Sequence, residues 1–266
     1  MLLRPDIFNS LGLQNQNSKL RDNSVVLNWL TTYSEYRRSN LFLMSDKLLA
    51  FQQQNQCAEG EAWDYYFPFE APNLESVQIQ PSSFIPFLRF SLYRPRDILA
   101  MLAILKESFI EQRRGRNEVF KADDFRDPMF TRKYSDYLLG EVKDHLSFYY
   151  PAEDWDKFLK FFQFFHGRWS FTYDDYVSTY REYEQFLSRN GESKPSFAVT
   201  ADSLLQFLFD LAALCYIAES EDEHFYGWCF RERTATNIAP KVRTHVRYEI
   251  HFGLRKALDL GKTLRR

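Results

Sequence analysis

The residues best equipped for chemistry in this chain are arginines placed at a helix start. In Tyr93-Arg94-Pro95-Arg96-Asp97-Ile98, proline holds its own φ at about −65° and biases its predecessor away from helix. Arg94 is therefore expected to be extended, with Pro95 as the first helical residue. Asp97 falls in the first turn, where a negative charge suits the helix dipole. Ile98, Leu99, Leu102, Leu105 and Phe109 recur at helical spacing, so one face of this helix is expected to be buried. Backbone N–H groups at such an end, beside two guanidinium groups, make a candidate anion or phosphate site. The competing assignment is that Arg94 and Arg96 simply pair with carboxylates on neighbouring loops, the common fate of surface arginines.

A second basic set lies near the C-terminal end. Residues 1–116 carry a net charge of +1, residues 117–223 carry −10 and residues 224–266 carry +7. An acidic middle and a basic end imply either internal attraction or a polyanionic partner. Arg233, Lys241 and Arg243 sit in the loop Glu232–Arg243 between two strand-like stretches, Phe225–Arg231 and Thr244–Ile250, where they could hold duplex DNA through its phosphates. The counter-reading is that such a loop serves protein contact and regulation.

Other chemistries find no footing. Gly261-Lys262-Thr263 imitates the end of a phosphate loop, but Lys256 stands where the leading glycine is needed. His145, His166, His224, His245 and His251 show no metal-ligand spacing, and no metal site is expected. Cys57, Cys215 and Cys229 form no C-x-x-C and no paired framework, which suits reduced thiols in a cytoplasmic protein. The N-terminus lacks the apolar core of a secretion signal, and Leu204–Ala218, interrupted by Gln206 and Asp210, is too short to span a bilayer. Glu219, Glu221, Asp222 and Glu223 suit a solvated acidic turn.

The elements that must position these groups follow from periodicity. Met1-Leu2-Leu3 and Val25-Val26-Leu27 with Trp29 have the make-up of buried strands, and two lone strands need a larger sheet around them. Residues 33–54 are expected to be a helix. Asn55–Gln80 is expected to be irregular, with Trp63, Tyr65, Tyr66, Phe67 and Phe69 forming an exposed aromatic loop. The arginine helix should stop near Arg113-Arg114-Gly115-Arg116. Helices are expected over Thr131–Tyr149 (stripe Tyr134, Leu138, Val142, Leu146), over Trp155–Phe165, from a Thr172 cap to Leu187, and from a Thr200 cap to about Leu211. Several helices followed by a two-stranded ribbon with a basic loop is the order of a winged-helix module.

Leu3-Arg4-Pro5-Asp6-Ile7-Phe8, then Val25-Val26-Leu27-Asn28-Trp29, then Tyr93-Arg94-Pro95-Arg96-Asp97-Ile98, in that order, resemble the later part of bacterial AAA/STAND-like P-loop ATPases, among them a family found near defence genes. Tyr134-Ser135-Asp136-Tyr137-Leu138 and Phe252-Gly253-Leu254-Arg255-Lys256-Ala257-Leu258 also resemble that family's C-terminal half. The resemblance implies a mainly α chain: residues 1–30 the remnant of an α/β P-loop core, 31–116 a helical lid, and 117–266 a helical and winged-helix-like C-terminal module. It implies that Arg4 lies near the γ-phosphate and that Arg94 and Arg96 form a sensor pair in the lid, reporting hydrolysis to the winged helix. Walker A, Walker B and the magnesium site are missing, so ATP and Mg²⁺ are expected only for the complete ATPase. The implied role is regulatory and non-catalytic, in antiphage defence, with an upstream ATPase half or a second copy as partner and no membrane. The alternatives are a stand-alone winged-helix protein on double-stranded DNA and a protein-interaction or oligomerisation module.

Overall fold

The computed structural model describes residues 12, 14–15, 25, 27–51, 53, 57–70, 82–112, 119–219, 224–234, 237 and 239–261. Its helices are α1 (Asn40–Ala50), α2 (Glu61–Tyr66), α3 (Phe84–Phe90), α4 (Pro95–Glu111), α5 (Pro128–Tyr149), α6 (Ala152–Gln163), α7 (Tyr173–Arg189), α8 (Ala201–Asp210) and α9 (Cys229–Glu232). The strands are β1 (Ser170–Thr172), β2 (Leu214–Glu219), β3 (His224–Gly227) and β4 (Arg247–Ile250). The chain is thus mainly helical with one small antiparallel sheet, ordered β1-β4-β2-β3.

Local chemistry explains the element starts. Ser39 accepts the Phe42 N–H, so α1 begins after a separate 3₁₀ turn at Tyr36–Arg38 rather than at residue 33. Pro128 opens α5 behind Asp127, whose carboxylate accepts the N–H groups of Met129 and Phe130. Thr172 and Asp175 form a reciprocal capping box at the start of α7, and Thr200 with Ser203 does the same for α8. The buried stripe of α5 runs through Tyr134, Leu138, Val142 and Leu146 as expected.

Three expectations change. Val25 is 88% exposed, Leu27 is 61% exposed and residues 27–30 form no strand, because no described strand offers them a partner. The other expected strand, Met1-Leu2-Leu3, lies outside the described residues, as do Arg4 and Val26. Of the expected aromatic loop Tyr65 is exposed, but Trp63 and Phe67 are buried: Trp63 sits in α2, 1% exposed, stacked on Phe67 at 4.6 Å and hydrogen-bonded through its indole N–H to Ser83. Finally, the two strand-like stretches do not pair with each other. β4 lies between β1 and β2, while β3 pairs only with β2, so Glu232–Arg243 spans the sheet instead of tipping a hairpin.

One hydrophobic core runs from Tyr36 to Leu260, heavy in Phe and Tyr. Phe90 of α3 meets Phe130 and Tyr134 of α5 and Phe252 beyond β4. His251 ties the same regions together. Its Nδ1 accepts the Gly253 N–H at 3.1 Å, so Nε2 carries the proton and donates to the Ser91 carbonyl at 3.2 Å.

Burial pushes His251 down to about 4. Above the ordinary histidine value of about 6.5 the ring is neutral in both folded and unfolded chains. As pH falls below that value the unfolded chain takes up a proton that the folded one refuses, so stability drops until the pH reaches the folded value. Urea unfolding at pH 5 should show about 2 kcal/mol less stability than at pH 7, and His251→Gln should flatten that difference. An equally steep loss in the variant would assign the acid lability elsewhere.

Candidate functional site

The start of α4 is built as its sequence implies and then locked by acids. Arg94 is extended (φ −111°, ψ 141°), and Pro95 begins the helix. Tyr93 takes a left-handed backbone, φ 56°, uncommon for a side chain of its size. Asp97 is fully buried and its carboxylate is a hub. It accepts the Leu92 N–H at 2.9 Å, the Arg94 Nε–H at 3.0 and 2.9 Å, and the Arg94 Nη2–H at 2.6 Å. Glu141, one stripe across on α5, takes Arg94 Nη1 at 3.2 Å and Arg96 Nη2 at 2.7 Å through the same Oε2.

The two arginines therefore differ. Arg94 keeps 27% of its side chain exposed and spends its fork on Asp97 and Glu141. Burial pulls Arg94 down, but the hydrogen bond and charge of Asp97, then Glu141, outweigh it and raise the guanidinium above its ordinary value. Arg96 is 60% exposed and bound to Glu141 by one nitrogen. Tyr137 points its hydroxyl at Asp97 from 3.4 Å, and burial followed by the charges of Asp97 and Glu141 pushes it up to about 12.

A cavity of about 300 Å³ opens on this pair. Arg94, Arg96, Glu141 and His145 line one side, exposed Phe148 stands at the end of α5, and Asp210 closes α8 opposite. The start of α4, the second half of α5 and the end of α8 thus meet around it. Burial raises the Asp210 carboxyl, offset in part by hydrogen bonds from Gln206 and Cys229.

Of the second basic set, Arg233 is half-buried, while Lys241 and Arg243 stay exposed. Gln206 of α8 donates to the Pro240 carbonyl at 3.0 Å and accepts the Val242 N–H at 3.1 Å, which pins the loop across the helix. Arg233 reaches the Cys229 sulfur at 3.5 Å, and its buried Nε has no hydrogen-bond partner among the described residues. Arg233 and exposed Lys241 both act on Asp210, whereas Arg243 lies 5.1 Å over the Tyr216 ring and acts on Glu232. Burial pushes Cys229 up to about 11 and so keeps its thiol protonated.

Glu141, Tyr137 and Asp210 were not singled out by sequence. The available signal was that Glu141 neighbours the buried Leu138–Val142 stripe of α5, where an acid one helix away from two arginines is a natural partner. Among the described residues there is no group of three or more His, Cys, Asp or Glu side chains that could hold a metal ion, and no helix is long and apolar enough to cross a membrane. Comparison with protein-family models, with curated proteins and with solved structures found no match.

Proposed function

We propose that this chain is the lid and winged-helix-like part of a STAND-like P-loop ATPase, regulatory and non-catalytic by itself. The observation that carries the reading is the element order α6–β1–α7–α8–β2–β4 with β4 seated between β1 and β2. Helix, strand, two helices and two further strands in that spatial order are the plan of a winged helix, with β3 and α9 inserted before the last strand. The cavity lined by Arg96 and Asp210 supports coupling, since a phosphate bound by Arg96 there would sit beside the end of α8. The described residues hold no phosphate-cradling loop, so Mg·ATP would be held by another segment or chain. Arg94 keeps Asp97 and the helix start in place, and Arg96 is the group that would meet a phosphate. Turnover by the chain joined to its upstream coding region should fall at least tenfold in Arg96→Ala, as loss of an arginine at transferring phosphates does. Unchanged turnover removes the role.

The module is read as facing protein rather than duplex DNA. The helix that would enter a major groove, α8, presents Asp202 and Asp210 and is crossed by the pinned loop. Exposed Phe148 and Tyr149 beside the cavity suit a protein contact. Fluorescence anisotropy at physiological salt should show duplex binding no tighter than the non-specific range, about 10⁻⁵ M, and unaltered by Arg233→Ala. Sub-micromolar, steeply salt-dependent binding that is lost in Arg233→Ala/Arg243→Ala would reverse the assignment.

A further inference from the structure

A second cationic cluster lies apart from Arg94 and Arg96. Arg89, at the end of α3, is half-buried with its guanidinium 5.1 Å over the Phe252 ring. Arg255 lies 5.1 Å from the same ring and 3.7 Å from the ring of Trp169. Arg231 packs 4.7 Å over Tyr93, and Tyr33 feels the charge of both Arg89 and Arg231. The left-handed turn at Tyr93 separates the two sites in chemistry: its ring and hydroxyl go to Arg231, while Arg94 next to it goes to Asp97.

The charges in this cluster do not balance among the described residues. Among the described residues the carboxylate acting on Arg89 is Glu249, which already receives Arg255 Nη2 at 3.2 Å. Arg255 also donates Nε–H to the Ile250 carbonyl at 3.0 Å, and Arg231 donates to the Thr31 carbonyl and the Tyr93 hydroxyl. Arg89 has no hydrogen-bond acceptor among the described residues; its surroundings are the Phe252 ring and the hydroxyls of Tyr33 and Tyr226. Burial lowers it accordingly, and burial also brings Arg255 down to about 10. A half-buried guanidinium whose one acid among the described residues is already hydrogen-bonded to Arg255 is an unfavourable arrangement that an anion from outside the chain relieves.

We propose that Arg89, flanked by Arg231 and Arg255, binds a phosphoryl group. A guanidinium fork matches paired phosphate oxygens, and a multiply charged oxyanion suits a cluster in which Arg89 and Arg255 share the Glu249 carboxylate and Arg231 is held by a carbonyl and a phenol. The group can come from free phosphate or from a nucleotide, and the test separates these sources. Thermal unfolding of the full chain is followed at constant ionic strength with chloride, inorganic phosphate or magnesium-free ATP. Phosphate well above its dissociation constant should raise the Tm by about 3 °C or more over chloride. Saturation by ATP at far lower concentration assigns a nucleotide, and equal potency assigns free phosphate.

Arg89→Met should abolish the shift, Arg89→Lys should keep part of it, and Arg96→Ala should leave it whole. Lys also serves if the Met variant does not fold. A wild-type chain indifferent to phosphate and ATP overturns the proposal, as does a full shift in Arg89→Met. A shift lost in Arg96→Ala but kept in the Arg89 variants moves the anion to the start of α4, a result that leaves the ATPase reading standing while ending this one.

Discussion

Asp97→Ala should lower the unfolding free energy by about 3–5 kcal/mol, the range for breaking a buried ion pair by removing one partner. The side chain is fully buried, and its loss strands the Leu92 N–H and the Arg94 fork together. Tyr137 and Glu141 cannot replace it: the first loses its own acceptor, and the second already serves Arg94 and Arg96. Urea unfolding of Asp97→Ala, Arg94→Ala and the double variant closes a cycle. The double variant should cost clearly less than the sum of the singles, because once the acid is gone the arginine has little left to stabilise. Additive costs would mean that the two side chains act independently and that the hub does not exist.

Gly227→Ala should cost about 3 kcal/mol through overpacking. A Cβ there would lie 2.1–2.5 Å from the Tyr216 ring carbons. The two residues are cross-strand partners on β2 and β3, so the ring lies flat on the glycine. It has nowhere to go: Tyr216 is fully buried, Phe209 lies 5.8 Å from it, Arg243 lies 5.1 Å over it, and its hydroxyl is bound to Glu232. Shrinking the ring in Tyr216→Val should recover much of the loss in the Gly227→Ala background. A cost under about 1 kcal/mol would contradict the packing of the β2–β3 hairpin.

What the sequence disclosed was local. Pro95, Thr172 and Thr200 announce their helices through backbone chemistry that acts within a turn, and the α5 stripe follows from spacing alone. What it withheld depends on distant partners. The apolar run Leu204–Ala218 conceals a change from helix α8 to strand β2 because no glycine marks it; the break falls on Ala212, in a left-handed conformation at φ 54°. The place of β4 between β1 and β2 pairs Tyr248 with Phe171 and Tyr216, contacts that no neighbouring residue encodes. Trp63 and Phe67 look like a surface loop until α3 covers them. At the candidate site both arginines were legible, but their inequality was not. Asp97 suits the helix dipole in sequence, whereas its main partner in the fold is Arg94, and Glu141 enters from another helix.

The proposed function divides the labour: Arg94 holds the helix start, and Arg96 would serve the phosphate. Tm and ATP turnover, measured together on Arg94→Ala and Arg96→Ala of the chain joined to its upstream coding region, test it most directly. The account predicts that Arg96→Ala keeps its Tm within about 2 °C while turnover falls at least tenfold, and that Arg94→Ala loses Tm by more than that. An Arg96→Ala variant that turns over ATP normally but melts early would contradict it.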